Sequence, residues 1–271
     1  MALPLTPQVF AILNGLIEER AGLKYSPEDL DLVRDKISTR AEAVGFESLL
    51  DYYYFLRYDQ AGSAELDSLV EALVVHETYF YREADQLEAL VGNLLARRFS
   101  EDATVRIWCA ACATGEEPFT LAMMLANQGL LQRVRIVASD ISERALAKAR
   151  SGEFSLRAVR ALPPGVEGRW VERREGRVRI SPALLGAIEW RRMNLLDRES
   201  IAGLGRFDAV LARNVLIYFG DDTVRRVVSH LSNALVPGGY LLVGASESLL
   251  RYGTSLLCEE HGGAFFYRRT K

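Results

Sequence analysis

Residues 105–140, VRIWCAACATGEEPFTLAMMLANQGLLQRVRIVASD, decide the fold. Val105–Cys109 is a short apolar run that reads as a buried strand. Residues 116–128 carry apolar side chains at helical spacing, and Val134–Ser139 is a second apolar run. Strand, helix and strand in that order form a βαβ unit, whose two strands lie parallel. The alternation continues downstream. Ser142–Arg150 predicts a helix, Ile188–Met193 a short strand, Phe207–Ala212 a strand, 221–235 a helix, and Gly239–Val243 the start of another strand. At the end, Leu256–Glu259 and Ala264–Arg268 flank His261-Gly262-Gly263, the pattern of an antiparallel hairpin. The product is a parallel sheet with an antiparallel edge. Residues 151–187 interrupt it. They hold Pro163-Pro164-Gly165 and then WVERREGRVRIS, two short strands about a Glu175-Gly176 turn, which predicts a small β insertion.

Upstream the pattern is purely helical. Thr6-Pro7 sets an N-cap and first-turn proline, Val9, Ile12, Leu13, Leu16 and Ile17 follow at helical spacing, and Gly22 stops the run. A second helix starts at Ser26-Pro27, a third covers 47–58 and a fourth 63–75. After a polar-aromatic segment, His76–Glu83, a helix is predicted over 84–99. The expected division is a small all-α domain at 1–75 and an α/β domain at 76–271 carrying the insertion at 151–187.

Composition narrows the function classes. Of 271 residues, 49% are apolar and 25% charged, which excludes disorder, collagen and coiled coil as the main architecture. No stretch approaches the roughly 18 apolar residues of a membrane span. MALPLTPQVF lacks the basic start and cleavage site of a signal peptide, so a cytoplasmic location without membrane insertion is expected. Charge is uneven. Residues 1–75 hold 6 basic and 13 acidic side chains, whereas residues 144–192 hold 12 and 5. Such asymmetry fits either a docking role or two solvated faces. Cys109, Cys112 and Cys258 make an odd set that gives no disulfide framework, and the single C-x-x-C lacks the second ligand pair of a zinc site. No metal is expected.

In an open α/β sheet, ligands bind beyond the carboxyl ends of the strands. The first such loop, Cys109–Pro118, contains one glycine, Gly115, followed by Glu116-Glu117. A pyrophosphate needs several glycine N–H groups at the helix start and would be repelled by paired carboxylates. A cationic nucleoside without phosphate suits this loop better, and S-adenosylmethionine is one. Asp140, at the next strand end, is placed to accept ribose hydroxyls, with capping of the following helix as its alternative role. After Phe207–Ala212 the chain reads Arg213-Asn214-Val215-Leu216 rather than the Asn/Asp-Pro-Pro-aromatic tetrapeptide common in enzymes that methylate a base nitrogen.

Six blocks, VHETYFYRE (75–83), CAACATGEEPFTLAM (109–123), SDISERALAKAR (139–150), MNLLD (193–197), RNVLIYF (213–219) and LVPGGYLLVGASESL (235–249), resemble the chemotaxis receptor glutamate O-methyltransferase (CheR) family. The resemblance spans essentially the whole chain. It implies a Rossmann-like S-adenosylmethionine-dependent methyltransferase sheet with a β insertion, preceded by a small all-α domain. The implied activity is methylation of glutamate side chains on the cytoplasmic helices of chemoreceptors, giving γ-glutamyl methyl esters. It places cofactor contacts on Thr78, Arg82, Glu117, Asp140, Asn194, Leu195 and Asn214, and active-site roles on Arg82, Arg213 and Tyr218. Two positions depart from the family pattern. His76 stands where asparagine is usual, and the second helix mixes Arg34, Lys36 and Arg40 with Asp31, Asp35 and Glu42 where relatives carry a row of arginines.

A glutamate nucleophile is already ionised at neutral pH, with an ordinary pKa of about 4.3, so the chemistry needs no general base. That agrees with the absence of histidine from the RNVLIYF and CAACATGEEP blocks. Arg82 is the candidate to steer the incoming carboxylate, or else to grip the methionine carboxylate of the cofactor. A monomer acting on a chemoreceptor, with no nucleic acid as partner, is the expected arrangement. The alternatives are a nucleic-acid methyltransferase using the basic 144–192 segment and a non-catalytic cofactor-sensing module.

Overall fold

The computed structural model describes residues 2–100 and 104–270. It divides into two compact units, Met1–Val75 with Ile217–Val224, and His76–Leu216 with Arg225–Lys271.

The first unit is built from α1 (Pro7–Ala21), α2 (Leu30–Ala43), α3 (Leu49–Tyr58) and α4 (Gly62–Leu73). The Thr6 hydroxyl accepts the Val9 N–H at 3.3 Å and Pro7 opens the helix. Gly22 ends it at φ 78, where a Cβ would also strike Thr223 at 2.9 Å. The start expected at Ser26-Pro27 is instead a 3₁₀ turn, Pro27–Asp29, in which Ser26 and Asp29 cap one another, and α2 begins only at Leu30. Leu13, Ile17, Ile37, Tyr52 and Leu69 are fully buried. Residues 217–224 belong to this unit through an antiparallel bridge from Leu23 to Phe219 and through the Lys24 N–H, which donates to the Tyr218 carbonyl at 2.9 Å.

The rest of the chain runs through α5 (Ala84–Ala89), α6 (Ala96–Ser100), β1 (Val105–Ala110), α7 (Glu116–Asn127), β2 (Val134–Asp140) and α8 (Glu143–Ser151). It continues with β3 (Glu153–Ser155), β4 (Val171–Arg174), β5 (Arg177–Ile180), α9 (Pro182–Leu185), β6 (Ile188–Arg192), α10 (Arg198–Gly203) and β7 (Phe207–Ala212). It closes with α11 (Asp221–Asn233), β8 (Leu235–Val243), β9 (Leu257–His261) and β10 (Ala264–Arg268). The main sheet has the order β6-β2-β1-β7-β8-β10-β9. Its first five strands are parallel and the final hairpin antiparallel. From β1 the chain moves outward to β2 and β6, then returns to β7 on the other side of β1. That reversal opens a crevice at the carboxyl ends of β1 and β7, where α/β sheets bind ligands. The burial of every residue of β7, and of all but Arg106 in β1, fits strands covered on both faces.

Two further expectations are corrected. The helix predicted over 84–99 is broken by a π-type turn, Leu90–Leu94, closed by the Leu95 N–H to the Leu90 carbonyl at 3.0 Å. Gly92 weakens the α ladder there, and the extra residue of a π turn rotates Leu95 back into the core beside Leu87 and Leu90. The insertion has three strands, not two, in the order β3-β5-β4. Its added strand, Glu-Phe-Ser, is too short to show a period and is fixed by burial of Phe154.

Candidate active site

The loop after β1 is shaped by three residues in the left-handed region, Ala111 (φ 56), Ala113 (φ 49) and Gly115 (φ 93). Such strain in alanine persists only where surrounding bonds enforce it. Here the Cys112 N–H donates to the Ser139 carbonyl at 2.9 Å, the Gly115 N–H to the Cys112 carbonyl at 3.0 Å, and the Ala113 N–H to Asp140 Oδ2 at 2.8 Å. A Cβ on Gly115 would meet the Trp190 ring at 2.9 Å, so only glycine lets α7 begin there. The other Asp140 oxygen accepts the Ser142 N–H at 2.9 Å, while capping of α8 falls to Ser142, whose Oγ accepts the Ala145 N–H. Asp140 is therefore a buried carboxylate at a strand end, fixed by two backbone donors, and not the N-cap. The Met193 N–H donates to the Asp140 carbonyl at 2.9 Å, which brings Asn194 and Leu195 beside it. Asn194 Oδ1 accepts the Leu196 N–H, and Leu195 is buried.

At the end of β7 sits Arg213, its side chain 2% exposed. Its Nε donates to Gln86 Oε1 at 2.9 Å and Nη1 to Glu117 Oε2 at 2.9 Å. Nη2 reaches the Arg82 carbonyl at 2.8 Å and the Glu83 carbonyl and carboxylate, each at 3.2 Å. One guanidinium thus ties the 76–83 segment, α5, α7 and β7 together. The segment itself is strained at Tyr81 (φ 62) and Glu83 (φ 47). It is anchored by the Phe80 N–H on the Ala158 carbonyl and by the Tyr81 N–H on Thr120 Oγ1. Arg82 is partly exposed, and its Nη1 donates to the Glu77 carbonyl at 2.8 Å. Thr78 is also partly exposed. Asn214, at φ 58, donates through Nδ2 to Glu83 Oε1 at 3.5 Å.

Burial raises the Glu117 carboxyl above its ordinary range, and Arg213 works against that rise. Burial would raise Glu83 as well, but Arg213, the Ala245 N–H and Asn214 outweigh it and hold that carboxyl low. Cys109 and Cys112 are buried free thiols whose pKa burial pushes well up, so neither is a thiolate nucleophile. Among the described residues no group of three or more His, Cys, Asp or Glu side chains could hold a metal ion, and no helix is long and apolar enough to cross a membrane.

The structure thus joins Arg82, Glu117, Arg213 and Asn214 through one network, and Asp140, Asn194 and Leu195 through another, both at the carboxyl ends of the parallel strands. Tyr218 lies in a 3₁₀ turn, Leu216–Tyr218, within the segment that clusters with the helical unit. The sequence did not single out Glu83, Gln86 or Glu247 as parts of this framework. The first and last stand inside the blocks VHETYFYRE (75–83) and LVPGGYLLVGASESL (235–249), but nothing in their spacing shows that a buried guanidinium or a strand end faces them.

The donor set fits a cationic nucleoside. The crevice offers a fixed acidic residue at the carboxyl end of β2 and buried carboxylates at the start of α7, with a single glycine in the loop, an arrangement hostile to a pyrophosphate. Fold and site together define an S-adenosylmethionine-dependent methyltransferase. Residues 76–259 match the description "CheR methyltransferase, SAM binding domain", and residues 8–74 match "CheR methyltransferase, all-alpha domain". The chain belongs to the CheR methyltransferase family. It is 33% identical over 253 residues to "Chemotaxis protein methyltransferase 2" of Vibrio cholerae, covering 91% of this chain and 88% of that one. It is 34% identical over 250 residues to "Chemotaxis protein methyltransferase 1" of Pseudomonas aeruginosa, covering 89% and 90%. Among solved structures it is similar to an O-methyltransferase family protein from Burkholderia thailandensis, at 13% identity and TM-score 0.44, over 98% of this chain and 85% of that one.

Proposed function

We propose that this protein methylates glutamate carboxylates on the cytoplasmic helices of a chemoreceptor, acting as a cytoplasmic monomer and giving γ-glutamyl methyl esters. The observation that carries the reading is Arg82, a partly exposed guanidinium on a loop whose backbone the buried Arg213 pins in place. Bound S-adenosylmethionine supplies a methyl group on a positively charged sulfur. Asp140 would accept ribose hydroxyls, Glu117 would offer negative charge to the cofactor's ammonium, and Thr78, Asn194, Leu195 and Asn214 would complete the cofactor contacts. Arg82 would orient the incoming substrate carboxylate through its fork of donors. Tyr218 lines the transfer channel and donates one hydrogen bond. Arg213 acts by positioning, since its donors are engaged by protein acceptors. Because a carboxylate and a sulfonium are of opposite charge, a site whose residues exclude water would favour their reaction. Family membership favours this reading over the nucleic-acid and cofactor-sensing alternatives.

The test incubates receptor, enzyme and cofactor labelled in the methyl group. Label released as methanol by mild base is the expected result, and a base-stable label would reject the carboxylate as acceptor. Arg82→Ala should slow transfer by about 100-fold or more, the scale of a misoriented reactant.

A further inference from the structure

The proposed cofactor contact Asn214 is held by a residue outside the assigned site. Asn214 sits at φ 58, a conformation that costs a non-glycine residue energy unless its surroundings enforce it. The enforcing group is Glu247, 9% exposed, in the turn after β8. Its Oε2 accepts the Asn214 N–H at 2.7 Å and the Gly244 N–H at 2.7 Å, so one oxygen clamps the ends of the neighbouring strands β7 and β8. The packing leaves no slack. A Cβ on Gly244 would lie 2.5 Å from Asn214 Nδ2 and 2.9 Å from both the Asn214 nitrogen and Glu247 Oε2. On its other side the Asn214 carboxamide meets Glu83, which is held ionised and can only accept. The amide nitrogen must therefore face Glu83, and Oδ1 is the atom directed elsewhere.

We propose that Glu247 is a positioning residue for cofactor binding. By fixing the left-handed backbone of Asn214 it aims that side chain, with Glu83 setting which end of the amide is presented. The assignment rests on Asn214 contacting S-adenosylmethionine, and Oδ1 then suits a donor such as the cofactor's ammonium or adenine amino group.

The experiment measures affinity for S-adenosylhomocysteine by calorimetry in Asn214→Ala, Glu247→Ala, Glu247→Gln and the Asn214→Ala/Glu247→Ala pair, with thermal melting of each. Glu247→Ala should weaken binding about tenfold, and Glu247→Gln should restore most of it, because an amide oxygen can accept the same two N–H groups. Once Asn214 is alanine, adding Glu247→Ala should cost little more, since residues acting through one another are not additive. Full additivity in the pair would overturn the proposal, as would unchanged affinity in a folded Glu247→Ala. A glutamine variant as weak as the alanine one would show that charge, not the backbone clamp, is at work, and would overturn it too. If Asn214→Ala alone left binding unchanged, the cofactor assignment of Asn214 would fail first, a separate outcome from failure of Glu247. Should Glu247→Ala melt early, Glu247→Gln and Gly244→Ala carry the test. The latter crowds both Asn214 and the Glu247 carboxylate and should weaken binding, and unchanged affinity there would reject the proposal.

Discussion

Arg213 serves two carboxylates that respond to it differently. Glu83 is held low, while Glu117, more deeply buried, is raised despite a 2.9 Å bond to the same guanidinium. The raised group makes the site sensitive to pH. A carboxyl whose folded pKa exceeds its unfolded value binds its proton more tightly in the folded state, so its contribution to stability is full below the unfolded pKa and fades as pH rises through the folded one. In the proposed role of Glu117, cofactor attraction runs the other way, because it needs the ionised form. Affinity for S-adenosylmethionine should fall as pH drops through the raised Glu117 pKa, above the ordinary value of about 4.3. Glu117→Gln should bind about 1.5–3 kcal/mol more weakly at neutral pH, the scale of a hydrogen bond to a charged group, and lose most of that pH dependence. Calorimetric titrations across the acid range check both; an unchanged profile in the variant would remove Glu117 from the ammonium's site.

Among the elements, α2, α3 and α4 are tied by a polar network within the helical unit. Tyr52 on α3 donates to Glu65 Oε1 at 2.7 Å, and Arg40 on α2 donates to both Glu65 oxygens on α4. Glu65 is 7% exposed and Tyr52 fully buried. Removing Glu65 leaves the buried Tyr52 hydroxyl without its acceptor, while Arg40, partly exposed, can turn to water. Glu65→Ala and Tyr52→Phe should each destabilise this unit by about 1.5–3 kcal/mol, the scale of a hydrogen bond to a charged group, in urea unfolding followed by circular dichroism. A loss under about 1 kcal/mol for Glu65→Ala would mean that apolar packing alone sets the arrangement of these helices.

Over the whole molecule, charge is segregated, with 13 acidic against 6 basic residues in 1–75 and 12 basic against 5 acidic in 144–192. The structure refines what that excess offers. Arg177 and Arg179 both pair with Glu153, and Arg173 pairs with Glu167. Arg174 has no ion pair among the described residues, and the hairpin register sets it opposite Arg177. If this face draws in an acidic receptor segment, Arg174→Glu/Arg177→Glu should slow methylation at low salt and flatten its salt dependence. The screening length falls from about 10 Å at 0.1 M to about 3 Å at 1 M, so the gap between variant and parent should close across that range. Reversal at 177 also sets a carboxylate against Glu153, its ion-pair partner, so thermal melting of the variant must match the parent before rates are compared. Equal rates at every salt concentration would make the asymmetry a solvated surface.

The sequence by itself determined the elements whose signals are local. The apolar runs of β1, β2 and β7, the Thr6-Pro7 helix start, the Glu175-Gly176 turn and the glycine-poor loop that excludes a pyrophosphate are each written within a few consecutive residues, because strand and helix periods and turn chemistry act over that range. It also placed Asp140 at a strand end. Its bond from the Ser142 N–H is local, but only the tertiary structure brought the Ala113 N–H to its other oxygen, from a loop 27 residues back. The same holds for Arg213, whose acceptors stand 96 to 131 residues away, and for Glu247, 33 residues beyond the backbone it fixes. Burial of a charged group, and the choice of its partners, depend on which segments the sheet order brings together, and no periodicity in the chain encodes that. The π turn at Leu90–Leu94 is the intermediate case. Gly92 marks the weak point, but the demand that Leu95 return to the core comes from the packing.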